Sequence, residues 1–350
     1  MDMRMMNANR ILLIILILLI ISILLIPPFV TKIQHDNNGI GEKVFLDIGD
    51  IRQGMIIKGN DMKSPVLLFL SGGPGIPEYF LDYQYPTFLE NEFIVCFWDW
   101  RGTGLSYSES VPPESMTHEQ FIADTLEVTE YLCERFKTEK IYLAAHSFGT
   151  SIGIQAIARR PELYNGYIAI SQIADQTRSE QLAYEYMLSL CEEKGNLSLF
   201  KQLTANPFGT EGYFNTGIRD KAMHTLGVGT TRHMKSVITG IFFPSLRMTD
   251  YSLKERINIW RGKSFVNRTM KDIFSFNAFE TVKSVNIPVY FFAGKYDYTC
   301  CYELQKEYFE FLQAPEKYFF TFENSAHSPL FEEPEIAEEI VKSIKKAGPF

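Results

Sequence analysis

The stretch Ile141-Tyr142-Leu143-Ala144-Ala145-His146-Ser147-Phe148-Gly149 decides the fold. It starts as an apolar run, breaks at a serine set among small residues, and continues from Thr150 to Ala158 with apolar side chains at helical spacing until Arg160-Pro161 ends it. The pattern predicts strand, sharp turn and helix, with Ser147 at the apex. Such a turn strains the serine backbone, so the residues two before and two after it must be small enough for strand and helix to approach each other. Ala145 and Gly149 meet that need, although glycine is the usual choice at both places and Ala145 adds a methyl group. The plainer alternative is a serine that only caps the helix.

Working outward, strands and helices alternate on both sides of this turn. Val44–Ile48 and Met55–Lys58 read as strands, the second after a turn at Gly54. Val66 to Leu70 is wholly apolar, as befits a strand buried on both faces of a parallel sheet, and it ends in Ser71-Gly72-Gly73-Pro74-Gly75. So many glycines exceed the needs of a simple turn and suit close approach of backbone amides to a ligand. Phe93 to Trp98 is a further strand, followed by Asp99-Trp100-Arg101-Gly102-Thr103-Gly104-Leu105-Ser106, which lacks the third glycine of a dinucleotide loop and reads as structural. Thr117 to Phe136 has helical spacing and a capping-box pattern at Thr117 and Gln120. From about Gln172 to Val282 strand-like runs vanish and helices separated by Gly and Pro take over. Then Ile287–Ala293, Cys301–Leu312, Lys317–Phe322 and Pro334–Ile344 restore the strand and helix rhythm. The expected architecture is therefore α/β, a parallel sheet covered on two faces with a lid over its carboxyl edge. Its core is assigned to residues 43–171 and 283–350, and its helical cap to 172–282.

The chain of 350 residues, 46% apolar and 22% charged, is long enough for a sizeable core. A net charge of −8 offers no basic face, which argues against nucleic acid as a partner. Cys96, Cys133, Cys191, Cys300 and Cys301 form neither a disulfide framework nor a metal-ligand spacing, so no metal or other cofactor is expected. At the other end, Ile11 to Ile26 is Ile or Leu at every position but Ser22, after Arg4 and Arg10 and before Pro27-Pro28. Extended to Val30, and at about 1.5 Å per residue, this run spans a hydrocarbon core of roughly 30 Å. It predicts an uncleaved transmembrane signal anchor over 11–30, with 1–10 as a cytoplasmic tail, 31–42 as a tether and the domain outside the cytoplasm. A cleaved signal peptide is the rival, but no small-x-small site follows the run.

If Ser147 is a nucleophile it needs a base. Among the histidines, His327 in Asn324-Ser325-Ala326-His327-Ser328-Pro329 directly follows the last strand, at the sheet edge where Ser147 lies. Asp297, after the penultimate strand, is the acid that would hold the imidazole, and Asp175 is the second candidate. The oxyanion hole falls to the amide of Phe148 and to the glycine turn, at Gly73 or alternatively Gly72.

With these residues placed, the chain from Val44 onward resembles the α/β-hydrolase superfamily and, within it, the prolyl iminopeptidase branch. The resemblance rests on Gly72-Gly73-Pro74-Gly75, Asp99-Trp100-Arg101-Gly102-Thr103-Gly104-Leu105-Ser106 and His146-Ser147-Phe148-Gly149-Thr150-Ser151. It implies a mostly parallel eight-stranded sheet, a helical cap after strand six, a Ser/Asp/His triad and release of N-terminal residues, often proline, from short peptides. Two positions depart from the pattern: Ser71 stands where the family has His, and Ala145 where it has Gly. The branch binds the substrate amine with cap acids, and Glu180, Glu185, Glu192 and Glu193 are the acids at hand. The reading is a membrane-anchored serine aminopeptidase working through an acyl-enzyme, with an esterase or lipase-like hydrolase, or a non-catalytic binding protein on the same fold, as the alternatives.

Overall fold

The computed structural model describes residues 38–210, 213, 217–270 and 275–347. The expected tail, the span over 11–30 and most of the tether lie outside the described residues. Among the described residues no helix is long and apolar enough to cross a membrane.

The strands are β1 (Ile40–Ile48), β2 (Ile51–Gly59), β3 (Val66–Leu70), β4 (Ile94–Asp99), β5 (Ile141–His146), β6 (Tyr164–Ile170), β7 (Val289–Gly294) and β8 (Lys317–Phe322). They form one eight-stranded sheet in the order β1-β2-β4-β3-β5-β6-β7-β8, antiparallel at the β1, β2 and β4 pairings and parallel from β4 through β8. Two local expectations need correction. The tether is shorter than 31–42, because Ile40, Gly41 and Glu42 already pair with Gly59, Lys58 and Ile57. The hairpin turns at Gly49-Asp50, both at positive φ as a two-residue hairpin loop requires, and Gly54 lies inside β2. Its missing side chain makes room for Leu105, whose Cβ would come within 2.5 Å of a β-carbon there.

β3 explains why the sheet is covered twice. Leu68 and Leu70 enter one apolar cluster, with Phe121, Val128 and Leu132 of helix α1 (His118–Phe136) and Ile152 of α2 (Phe148–Arg159). Leu67 and Phe69 point the other way and pack with residues of the C-terminal helix Pro334–Ala347. Each fully buried side chain of this kind contributes about 1.5–3 kcal/mol relative to exposure. At the start of α1 the Thr117 side chain accepts from the Gln120 amide at 3.2 Å, but the Gln120 side chain donates to Asp124 at 2.7 Å rather than closing the box.

Between β6 and β7 the described chain is helical: α3 (Gln176–Glu193), α4 (Leu197–Ala205), α5 (Ile218–Leu226) and α6 (Leu253–Thr269) are its longer pieces. The first three share an apolar cluster separate from the sheet. α6 sits directly on the core, where a β-carbon at Gly262 would stand 2.7 Å from the carbonyl oxygen of Gly102.

The loop after β4 is structural, as its sequence suggests. Arg101 is buried and donates to Asp124 at 2.7 and 2.9 Å, to Ser115 at 2.8 Å and to the Gly49 carbonyl at 3.1 Å. Replacing Arg101 with Met leaves the Asp124 carboxylate buried without its counter-charge. The expected loss is about 3–5 kcal/mol of unfolding free energy in urea titration; a loss below about 1 kcal/mol would contradict this account.

Candidate active site

Ser147 joins β5 to α2 at φ 52° and ψ −121°, a strained combination for a residue with a side chain. Its neighbours leave little space. A β-carbon at Gly149 would stand 2.5 Å from the Leu70 carbonyl oxygen, and one at Gly72 would stand 2.9 Å from Cβ of Ser147. The extra methyl of Ala145 is absorbed by Gly153 on α2, where any β-carbon would already lie 3.1 Å from it. The turn is tied down by the Ser147 amide, which donates to Ile170 O at 2.9 Å, and by the Thr150 hydroxyl, which donates to Ser147 O at 2.6 Å.

The three residues expected to converge do so. Nε2 of His327 is 2.8 Å from Oγ of Ser147, and Nδ1 is 3.1 and 3.0 Å from the two carboxylate oxygens of Asp297. A carboxylate only accepts, so Nδ1 carries the proton and Nε2 is left to accept from the serine hydroxyl. Asp297 is fully buried and also accepts from the amides of Thr299 and Cys300, both at 2.9 Å, and from Gln305 at 3.0 Å. Burial pushes its carboxyl up, but the attraction of His327 and the donated hydrogen bonds outweigh burial and hold it below the usual aspartate range. The loop bearing His327 is fastened by Glu332, which accepts from the amides of Ala326 at 2.9 Å and Ser328 at 3.4 Å. Burial raises that carboxyl to about 7.

Asp175, the second candidate acid, instead caps α3, accepting from the Arg178 amide at 3.0 Å, and also accepts from Asn277 at 3.3 Å. Of the cap acids at hand, Glu185, Glu192 and Glu193 are exposed, and Glu180 is buried in a two-point ion pair with Arg219. Gly73, at φ +115°, borders two cavities that meet at Ser147. One, of about 240 Å³, is lined on the core side by Glu78, His146 and His327. The other, of about 500 Å³, reaches Phe148, Gln176 and Asn267. Asp220 and Lys263 of the cap border both.

Sequence reasoning passed over Glu78 and the part played by His146. Nδ1 of His146 is 2.7 Å from Oε1 of Glu78, and Nε2 is 2.8 Å from the backbone oxygen of His327. A carbonyl only accepts, so Nε2–H donates and His146 steadies the His327 backbone. The signal available in the sequence was an acid soon after the Gly72-Gly73-Pro74-Gly75 turn.

The fold and the strained serine turn define a hydrolase of the α/β class. The chain belongs to the alpha/beta hydrolase fold family, whose sequence profile matches residues 65–334. A relative from Bacillus subtilis (strain 168), named probable aminopeptidase YbaC, is 37% identical over 294 residues, covering 83% of this chain and 92% of that protein. Among solved structures, VinJ aligns with a TM-score of 0.63 at 18% identity, covering 87% of this chain and 98% of its own. The proline iminopeptidase of Mycobacterium smegmatis aligns with a TM-score of 0.60 at 13% identity over 87% and 98% of the two chains. At such identities these structures carry the fold alone. The protein is a hydrolase that resembles the prolyl iminopeptidases.

Burial lowers the affinity of His146 for a proton, but the charge and hydrogen bond of Glu78 and the His327 carbonyl outweigh it, so its pKa lies above the ordinary histidine value. A raised folded-state pKa stabilises fully below about 6.5 and loses that contribution as pH climbs through the folded value. The stability gap between the native protein and His146→Gln is therefore expected to be widest near pH 6 and to narrow toward pH 9 in parallel denaturation curves. A gap that widens with pH would refute the assignment.

Proposed function

We propose that this hydrolase is a serine aminopeptidase of prolyl iminopeptidase type that works through an acyl-enzyme. The observation that carries the reading is the unbroken hydrogen-bond line from Asp297 through His327 to Ser147 at the strained turn. Oγ of Ser147 attacks the carbonyl carbon of the first peptide bond while Nε2 of His327 takes its proton, and Asp297 stabilises the imidazolium. The negative oxygen that forms is met by two amides. One belongs to Phe148, which opens α2 and so has no acceptor within the helix, and the other to Gly73. Each such donor is worth about 3 to 4 kcal/mol of barrier. His327 then returns the proton to the departing amine as the C–N bond breaks, leaving the N-terminal residue esterified to Ser147. Water, deprotonated by the same imidazole, releases the free amino acid and regenerates the serine. The aminopeptidase assignment draws its support from the Bacillus subtilis relative's name and from the small size of the cavity beside Glu78, which suits one residue.

A fluorophosphonate probe is expected to label the protein, and Ser147→Ala to abolish labelling. Asp297→Asn should lower kcat about ten-thousand-fold. Faster turnover of an aryl acyl ester than of proline arylamide would replace the aminopeptidase with an esterase, and a folded but unlabelled protein would mean a binding function.

Anchorage through residues 11–30, with the hydrolase domain outside the cytoplasm, belongs to the same proposal and rests on the apolar run alone. The full chain should stay with membranes through alkaline carbonate extraction, whereas a fragment beginning at Gly39 should be soluble, folded and active. Release of the full chain by carbonate would rule the anchor out.

A further inference from the structure

Glu78 carries an oxygen that the machinery above does not use. It lies between the glycine turn and the short helix Tyr79–Gln84, its amide donating to the Ser71 hydroxyl at 3.0 Å. Oε1 is taken by His146, whereas Oε2 is buried and has no hydrogen-bond partner among the described residues. His146 cannot serve it, because its two N–H groups are committed to Oε1 and to the His327 carbonyl. A buried carboxylate oxygen left without a donor is costly, so a group that brings donors and positive charge is favoured there. The position is close to the reacting atoms: a β-carbon at Gly72 would stand 2.9 Å from Cβ of Ser147 and 3.1 Å from Oε1 of Glu78.

The rest of the smaller cavity narrows the ligand. Ile76, Phe80, Leu81, Met223 and Ile241 give it apolar walls suited to one uncharged side chain. Its permanent cations stand on the cap side, and on the core side the His146 imidazolium is already paired with Oε1 of Glu78. Arg219 is already paired with Glu180, and Lys263 donates to the Pro74 carbonyl at 2.9 Å. A cationic group is therefore repelled from the cap wall and drawn to the core wall. Asp220, the other acid of the cavity, has a side chain 61% exposed and accepts from Arg219 at 2.7 Å, so it is solvated and partly neutralised.

We propose that Oε2 of Glu78, an acid of the core and not of the cap, binds the α-ammonium group of the substrate's N-terminal residue and so limits the enzyme to substrates with a free amine. The proposal rests on the aminopeptidase reading and deepens it. Glu78 thereby has two duties: one oxygen orients His146, and the other holds the substrate amine beside Ser147.

The test compares proline benzyl ester with its N-acetyl counterpart on the full chain in detergent. The two differ in the amine and share the scissile bond. The native enzyme should prefer the free amine at the level of kcat/KM, and Glu78→Gln should reduce that preference about 30-fold or more, mainly through KM. Asp220→Asn should retain it. Equal turnover of the two esters by the native enzyme, which needs no variant to fold, would overturn the proposal. So would a Glu78→Gln enzyme, still labelled at Ser147 by fluorophosphonate, that is slowed on both esters with the preference intact, or loss of the preference in Asp220→Asn alone. Proline arylamide separates the two readings. If it is cleaved while Glu78→Gln keeps the preference, only the ammonium site fails; if it is not cleaved and both esters are cleaved equally, the aminopeptidase assignment fails with it.

Discussion

The close approach of β5, α2 and the end of β3 around one strained serine is the constraint on which the molecule depends. The backbone of Ser147 adopts an unfavourable conformation, which costs on the order of 1–3 kcal/mol and persists only because the surroundings over-determine it. Leu70 and Ser71 carbonyls lie against Gly149 on one side, and the Ile170 carbonyl holds the serine amide on the other. Three adjacent parallel strands thus grip the turn. Its stiffness comes from the sheet, and the central strands must be fully buried for the grip to hold.

The same constraint explains where polar groups were admitted into the core. Arg101 and Asp124 tie the loop after β4 to α1 and to the β1–β2 hairpin, fixing the ground on which α6 stands. Asp99 accepts from Tyr251, just before α6, at 2.8 and 2.7 Å, and burial lifts its carboxyl to about 7. These groups do no chemistry. Each is satisfied on several sides, as buried polar groups must be, and together they register the base of the cap against the carboxyl edge of the sheet.

Much of this was legible in the sequence because it depends on local pattern. Val66–Leu70 and Lys317–Phe322 begin and end where the apolar runs do, and the turn at Ser147 was marked by the small residues it requires. His327 and Asp297 could be placed because residues that follow parallel strands share one edge. What escaped depends on contacts between distant segments. Gly54 looked like a turn because its real reason, the nearness of Leu105, comes from a loop some fifty residues away. Glu78 was unremarkable until His146 came to lie against it. Asp175 and Asp297 were both acids after a strand, and only the tertiary arrangement shows that one caps a helix while the other faces an imidazole.

The division of labour between core and cap follows from these contacts. The side-chain hydrogen bonds that join Ser147, His327 and Asp297 come from core segments, whereas the cap reaches the triad through the backbone, where the His327 amide donates to Gly229 O at 3.2 Å. The cap also supplies lining, through Arg219, Asp220 and Met223 of α5 and Lys263 of α6. Lys263 couples the two at a second place. Its ammonium group holds the Pro74 carbonyl next to Gly73, while Val266, one turn along, packs where a β-carbon at Gly75 would stand 2.9 Å away. Burial lowers the pKa of Lys263, so its charge is held at a cost that the neighbouring Asp220 offsets only in part. A shift of α6 therefore moves the glycine turn with it, and cap position is transmitted to the turn whose Gly73 amide is proposed for the oxyanion hole. On the proposed mechanism, substrate fit and transition-state stabilisation meet at that turn, and a side chain from the cap holds it.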